Sequence, residues 1–147
     1  GSDVTLIPIP SSTLKNKEAL HVPYELAKAF ENKGLGQVID CVKRVSAIPK
    51  SATSRPEDRP TPKRHYESIG VEGVLATIKK IVLIDDVITR GSTAIGVASR
   101  LKEVYPDVDI KLFAALRAIT YPKDFVELVM PCVGEIELRN GQAYRNP

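Results

Sequence analysis

Two adjacent carboxylates, followed by a glycine among hydroxyl side chains, form the segment of this sequence best suited to bind a ligand. Asp85 and Asp86 come first, and Gly91 lies within Thr89-Arg90-Gly91-Ser92-Thr93. Backbone N–H groups and the dipole at a helix start favour an anion, and hydroxyls donate hydrogen bonds to phosphate oxygens. The acids can accept hydrogen bonds from vicinal hydroxyls or hold Mg²⁺, directly or through water. This order of groups predicts a sugar-phosphate site.

Each of these features also has a structural explanation when taken alone. Two acids after a buried strand often end that strand in solvent, and Thr-x-Gly-x-Thr often caps a helix. The segment has no Gly-Lys-Ser/Thr ending, so it is not a Walker A loop. It also lacks the Gly-x-Gly-x-x-Gly spacing of a dinucleotide-binding loop.

The elements around this loop alternate between strand and helix patterns. Apolar and periodic stretches predict strands at 4–10, 37–42, 80–84 and 108–116, helices at 18–32 and 92–104, short elements at Val71, 74–75, 125–129 and 135–138, and a turn at 140–141. Such alternation predicts an α/β fold with a central, mainly parallel sheet flanked by helices. The continuously apolar 80–84 run predicts an interior strand. Ligands are then expected at the carboxyl ends of the strands.

The segment 46–65 has no helix or strand period. It contains four prolines and five basic residues, namely Pro49, Pro56, Pro60, Pro62, Lys50, Arg55, Arg59, Lys63 and Arg64. Irregular segments of this length are uncommon inside a domain and are usually functional or disordered. Because it is charged and offers few apolar anchors, we expect it to be mobile without ligand.

Residues 81–93, IVLIDDVITRGST, resemble the phosphoribosyl pyrophosphate (PRPP) motif of type I phosphoribosyltransferases. That motif has four hydrophobic residues, two acids, two hydrophobic residues, Thr or Asp, any residue, Gly and a hydroxyl pair. The resemblance implies the type I phosphoribosyltransferase fold, here with a short or reduced hood. It implies that Asp85 and Asp86 face the ribose hydroxyls and Mg²⁺ as catalytic residues. The 5-phosphate would then lie in a cradle formed by Thr89, Arg90, Gly91, Ser92 and Thr93.

The residue at position 89 indicates which members of the family the segment resembles most. Purine salvage enzymes usually have Asp at this position, so the segment is more similar to orotate phosphoribosyltransferases and to the competence-protein-F-like amidophosphoribosyltransferase homologues. The lid sequence of orotate enzymes is missing. Pro10, Ser11 and Ser12 follow the first strand, where the family has its pyrophosphate loop, although either serine could simply cap the next helix.

The 46–65 segment occupies the position of the family's flexible lid, which closes over PRPP and excludes water. Arg44-Val45 matches a dipeptide that leads into this region in the competence-F-like group. Lys50 and Arg59 are the preferred catalytic pair for binding pyrophosphate, and the alternative is a solvated basic loop. His65 and His21 are expected to be structural or surface residues, and His65 is the better functional candidate of the two because of its neighbours.

The implied activity is the Mg²⁺-assisted transfer of phosphoribosyl from PRPP to a nitrogen nucleophile, a base or other amine, with release of pyrophosphate. Two alternatives stay open, a PRPP- or nucleotide-binding regulatory domain without turnover and a subunit whose protein partner completes the acceptor pocket. A homodimer is expected by analogy with the family.

The whole chain has 147 residues, 43% hydrophobic residues and a net charge of +3. This length predicts a single domain over 3–147, with Gly1-Ser2 as a tag scar. The mild charge argues against a dedicated nucleic-acid binder, although the basic segment keeps such a partner open. No apolar run is long enough to cross a membrane. Cys41 and Cys132 do not have the spacing of a metal site, and we expect both to be reduced core or near-core residues of a cytoplasmic protein.

Overall fold

The computed structural model describes residues 3–14, 19–49, 55–73, 77–118 and 130–146. In chain order, the elements are β1 (Val4–Pro8), α1 (Val22–Asn32), β2 (Gln37–Val38), β3 (Val42–Arg44), a 3₁₀ turn (Pro56–Asp58), α2 (Pro62–Glu67), β4 (Ile69–Val71), β5 (Lys80–Ile88), α3 (Ser92–Val104), β6 (Asp109–Arg117), β7 (Glu135–Arg139) and β8 (Gln142–Asn146). Four strands form a parallel sheet in the order β2-β1-β5-β6. Two antiparallel pairs, β3-β4 and β7-β8, complete the described strands.

Helices pack on both faces of the parallel sheet because its central strands are apolar on both sides. Successive side chains of a strand point to opposite faces. Leu6 and Ile84 pack with Ala27 of α1, whereas Ile7 and Leu83 pack in the cluster that includes α3. The prediction of a mainly parallel α/β sheet flanked by helices is therefore confirmed.

The predicted interior strand is confirmed, because β5 lies between β1 and β6. Its predicted end at residue 84 is wrong, since β5 continues to Ile88 beside β6. Pairing with β1 ends where Pro8 meets Ile84, and a last bond joins Ile9 N–H to the Ile84 carbonyl at 2.9 Å. The final residues of β5 therefore extend past the end of β1.

Two other elements differ from the sequence prediction. Helix α1 begins at Val22 rather than at residue 18, and Pro23 occupies its first turn, where a missing N–H costs nothing. The predicted strand 37–42 is divided. The chain leaves the parallel sheet after β2, and β3 pairs with β4 instead.

The prediction that 46–65 is irregular is wrong for its second half. Residues Pro62–Glu67 form α2, with Thr61 accepting a hydrogen bond from Arg64 N–H as the N-cap. His65 is only 1% exposed. Gly96 of α3 makes this packing feasible, because a Cβ there would lie 2.6 Å from His65 Cβ. Residues 50–54 lie outside the described residues.

The C-terminal part contains the predicted 140–141 turn, with Asn140 and Gly141 at φ 50° and 74° between β7 and β8. Val71 belongs to β4, whereas the predicted elements at 74–75 and 125–129 lie outside the described residues. The prediction of a core or near-core position is confirmed for Cys41, which is buried, and wrong for Cys132, which is exposed. Among the described helices, none has the length and apolar character that crossing a membrane requires.

We expect Gly96→Ala to destabilise the protein by about 1–3 kcal/mol, because overpacking forces backbone shifts. The new Cβ would lie 2.8 Å from Tyr66 N as well as against His65. A loss of stability would point to the close packing, because replacing glycine by alanine inside a helix normally stabilises a protein by about 0.5–1 kcal/mol. Urea unfolding measures the effect. Ser99→Ala, at an exposed position of the same helix, is the control and should be neutral or stabilising; a stabilised Gly96→Ala variant would contradict the α2–α3 packing.

Candidate functional site

A cavity of about 380 Å³ opens at the carboxyl ends of β1 and β5. It exists because β5 extends past β1, so the chain after β1 and the end of β5 face the same space. Its lining comes from the β1–α1 connection, the start of α1, the end of β5, the loop after β5, the first turn of α3, and one residue each of β3 and α2. These residues are Ile9, Pro10, Ser11, Ser12, Leu20, His21, Val22, Pro23, Arg44, His65, Asp85, Asp86, Val87, Ile88, Thr89, Gly91, Ser92, Thr93 and Ala94.

Asp85 and Asp86 are half-buried in this lining. Each carboxylate accepts a hydrogen bond from the next backbone N–H in the chain. Asp86 N–H donates to Asp85 Oδ1 at 2.9 Å, and Val87 N–H donates to Asp86 Oδ1 at 2.8 Å. These bonds fix one oxygen of each carboxylate and orient the side chain, so the second oxygen can meet a ligand.

The electrostatics of this pair favour a cation or hydroxyl donors between the two acids. Burial raises the pKa of Asp85 to about 8, and the hydrogen bond and charge of Asp86 contribute in the same direction. Without a ligand, the pair therefore holds a proton at neutral pH. This proton relieves the repulsion between the two carboxyls. A metal ion or ribose hydroxyls bound between them would take its place.

The loop between β5 and α3 has the conformation expected of an anion site. Gly91 is the N-cap of α3 with φ 94°, a left-handed value that glycine adopts without strain. Its close contact is with Ile136 of β7, whose Cγ2 lies 2.6 Å from the position of a Cβ. The first-turn N–H groups of a helix have no acceptor within the helix. Those at Ser92 and Thr93 thus border the cavity with their hydroxyls.

His65 contacts this first turn from α2. Its Nε2 lies 3.3 Å from Thr93 Oγ1, and burial, together with the charge of Arg44, lowers its pKa to about 4. The imidazole is therefore neutral at neutral pH. With its proton on Nε2, it donates to Thr93 Oγ1 and leaves the threonine O–H to donate to an anion.

The connection after β1 is held from behind by β3 and the residues that follow it. Arg44 Nε donates to the Ser11 carbonyl at 2.9 Å, and Ile48 N–H donates to the Ser12 carbonyl at 3.0 Å. In a trans peptide the N–H points opposite to the carbonyl. The N–H groups of Ser12 and Thr13 are thereby turned away from β3.

Most of the predicted site residues are brought together. Asp85, Asp86, Thr89, Gly91, Ser92, Thr93, Pro10, Ser11 and Ser12 line one cavity. Arg90 is exposed and Arg59 is half-buried, and neither belongs to the lining. Lys50 lies outside the described residues. The structure therefore brings the two acids, the loop between β5 and α3 and the connection after β1 together, whereas Arg59 does not line this cavity.

Sequence reasoning missed Arg44 and did not foresee where His65 lies. Arg44 appeared only as half of a dipeptide, yet it lines the cavity. The signal was the two-residue strand period, because Val42 is 1% exposed and Arg44 points to the same side of β3. The buried position of His65 agrees with the expectation of a structural residue, but its place beside Thr93 depends on contacts between α2 and α3 that no local pattern contains.

The two carboxylates fit Mg²⁺ as part of its ligand set. This ion prefers oxygen ligands, keeps several waters, and is usually held by one or two carboxylates plus substrate phosphates. Within the described residues there is no group of three or more His, Cys, Asp or Glu side chains that could hold a metal ion. Asp85 and Asp86 would therefore hold Mg²⁺ together with a ligand or water.

Comparisons with protein-family models, curated proteins and solved structures find no match to this chain.

We expect Asp85→Asn to become more stable than the wild type as pH rises. The folded carboxyl has a pKa of about 8 against an ordinary value of 3.8, so the wild type loses stability as pH rises through that interval. Asparagine cannot ionise. The difference in free energy of unfolding should grow by at least about 1.4 kcal/mol between about pH 5 and pH 8, the value of one pKa unit.

Urea unfolding across this pH range, with a chelator present, measures the difference. His65 has the opposite dependence, because its lowered pKa costs stability as pH falls below about 6.5. It occurs in both proteins and cancels in the difference. Asp109→Asn, which changes an exposed acid of β6, is the control. A pH-independent difference for Asp85→Asn would show that this carboxylate ionises normally.

Proposed function

We propose that this chain is a PRPP-dependent phosphoribosyltransferase of the type I family. One observation carries the proposal. The two acids at the end of β5, the hydroxyl-rich start of α3 and the Pro10–Ser12 connection line the same cavity. Its volume of about 380 Å³ lies within the range of about 300–1,000 Å³ typical of small-molecule sites.

The lining divides into parts that suit different groups of PRPP. The start of α3 offers N–H groups, Ser92 and Thr93 to the 5-phosphate. Asp85 and Asp86 suit the two ribose hydroxyls, because carboxylates accept strong hydrogen bonds from hydroxyl groups. The N–H groups of the β1 connection remain for the pyrophosphate. Mg²⁺, when bound, would neutralise charge on the departing pyrophosphate.

The proposed reaction breaks the bond between the anomeric carbon and the pyrophosphate oxygen and forms a bond from that carbon to nitrogen. Pyrophosphate leaves with the electron pair, and the nitrogen nucleophile loses a proton. The protein has to position the reactants and stabilise charge. Groups that hold the ribose and both anionic ends are sufficient for this task, and a covalent nucleophile is not required.

Pyrophosphate release tests the proposal. The purified protein is mixed with PRPP and Mg²⁺, and release is followed across a panel of nucleobases and simple amines. Release that depends on the added acceptor supports the transferase. Tight PRPP binding with no release for any acceptor favours the regulatory alternative, and the absence of PRPP binding would contradict both.

We expect Asp86→Asn to weaken PRPP binding while leaving the fold intact. The asparagine oxygen can still accept the hydrogen bond from Val87 N–H, so the end of β5 should keep its conformation. Losing a charged acceptor for a ribose hydroxyl costs about 1.5–3 kcal/mol, which is roughly tenfold or more in the dissociation constant.

Calorimetric titration with PRPP and Mg²⁺ measures this loss, and circular dichroism checks the fold. Asp109→Asn is the matched control, because it removes an acid from the neighbouring strand β6 outside the cavity lining. Equal affinity of the Asp86→Asn variant and the wild type would mean that the acids are solvated strand-end residues.

A further inference from the structure

His65 is a buried histidine whose two ring nitrogens have different surroundings. The residue is 1% exposed and belongs to the lining of the cavity. Its Nε2 lies 3.3 Å from Thr93 Oγ1 in the first turn of α3. Its Nδ1 is buried and has no hydrogen-bond partner among the described residues. The ring is held in this position because Gly96 lets α2 pack closely on α3.

The position of the ring proton decides what Thr93 presents to the cavity. Burial and the charge of Arg44 lower the pKa of His65 to about 4, so at neutral pH one ring nitrogen is protonated and the other is an acceptor. With the proton on Nδ1, Nε2 accepts the Thr93 O–H, and only oxygen lone pairs are left to face a ligand, which disfavours an anion. With the proton on Nε2, Thr93 Oγ1 accepts from the ring, and its own proton is left to donate to an anion.

The surroundings of Nδ1 favour the second arrangement. Arg44 is held against α2, since its Nη1 donates to Ser68 Oγ and Ser68 Oγ donates to the His65 carbonyl at 2.8 Å. Arg44 Nη2 is also buried without an acceptor among the described residues. A proton on Nδ1 would create a further buried donor without an acceptor, which is costly, and would place it beside a positive charge. A lone pair on Nδ1 is stabilised by the same charge.

We propose that His65 is a positioning residue, which carries its proton on Nε2 and donates to Thr93 Oγ1, so that the Thr93 hydroxyl is held as a donor to an anion bound at the start of α3. His65 acts through Thr93 and does not have to touch the ligand. The identity of the anion, a phosphate group, rests on the proposed function. The orientation of the hydroxyl rests on the contacts of His65.

NMR of the ring nitrogens reads the tautomer directly, because protonated and unprotonated nitrogens have well-separated chemical shifts. The chain contains two histidines, so His21→Gln assigns the signals with His65 in place. At neutral pH we expect a protonated Nε2 and an unprotonated Nδ1 for His65. A proton on Nδ1 would overturn the proposal.

Calorimetric titration with ribose 5-phosphate compares two variants of similar length. In His65→Gln, the amide oxygen can accept from Arg44 Nη2, which leaves the amide N–H to donate to Thr93, so affinity should stay within about threefold of the wild type. His65→Met fills the same space but cannot donate. We expect it to weaken binding about three- to tenfold, as for the loss of a neutral hydrogen bond. Equal affinities of the methionine variant and the wild type would contradict the proposal.

A double-mutant cycle with Thr93→Val separates positioning from packing. Valine keeps the shape of threonine and removes the hydroxyl, so His65→Met should weaken binding no further in that background. Additive losses, or equal losses in the glutamine and methionine variants, would mean that His65 only packs α2 against α3. Tyr66→Phe is the control, because it changes a neighbouring residue of α2 whose hydroxyl donates to Glu103 outside the lining, and it should leave affinity unchanged.

The tautomer measured with His65 in place decides the proposal if His65→Met does not fold. The outcomes are also distinct from those that test the proposed function. A proton on Nδ1 in a protein that releases pyrophosphate from PRPP would overturn this inference alone. A proton on Nε2, with ribose 5-phosphate binding that depends on both His65 and Thr93, would uphold it even in a protein that does not bind PRPP. Ribose 5-phosphate binding no tighter than that of ribose would overturn it.

Discussion

The cavity depends on the different lengths of two neighbouring strands, because β5 extends beyond the end of β1. Pairing stops at Pro8 and Ile84, and from there β5 has β6 as its neighbour but no longer β1. Backbone and side-chain polar groups at this point need other partners. The carboxylates of Asp85 and Asp86 partly fill this need through their bonds to the following N–H groups. The same step in the sheet provides the space in which a ligand can bind.

Both charged regions of the cavity reduce the stability of the protein without ligand. The carboxyls of Asp85 and Asp86 are half-buried side by side, and the guanidinium of Arg44 is buried with neutral hydrogen-bond acceptors. Local destabilisation of this kind is common at binding sites, because groups already oriented for a ligand lack partners in its absence. A ligand that supplies a cation and an anion in the right places offsets both costs. Stability and affinity are therefore expected to change in opposite directions at these residues.

Elements with strong local signals were predictable from the sequence. The apolar run of β5 and the helical period of α3 are properties of short segments, and the Asn140-Gly141 turn follows from the backbone preferences of two residues. Asp85, Asp86 and the loop between β5 and α3 could be named as candidate site residues for the same reason. The predicted position of Asp85 and Asp86 after the strand was wrong, because β5 continues to Ile88 beside β6. Thr89, Arg90 and Gly91 lie in the loop between β5 and α3, as predicted.

What escaped prediction depends on contacts between distant segments. α2 has two prolines before it and a weak pattern, and it forms where Gly96 leaves room for His65. β3 separates from β2 because β4 provides a partner. Arg44 becomes a cavity residue only after β3 has packed behind the Ser11–Ser12 connection. To predict any of these features, one would have to know which distant segment packs against it.

The contact between Gly91 and Ile136 joins the loop between β5 and α3 to the hairpin formed by β7 and β8. Arg145 of the same hairpin donates to the carbonyls of Ile88 and Ala118 at 3.2 and 3.0 Å. The hairpin is therefore bound to the ends of both β5 and β6. Any ligand that holds the loop in its bound conformation also favours the docked hairpin, by thermodynamic linkage. Amide protons of β7 and β8 would then exchange more slowly with solvent when the cavity is filled, although no residue of these two strands lines the cavity.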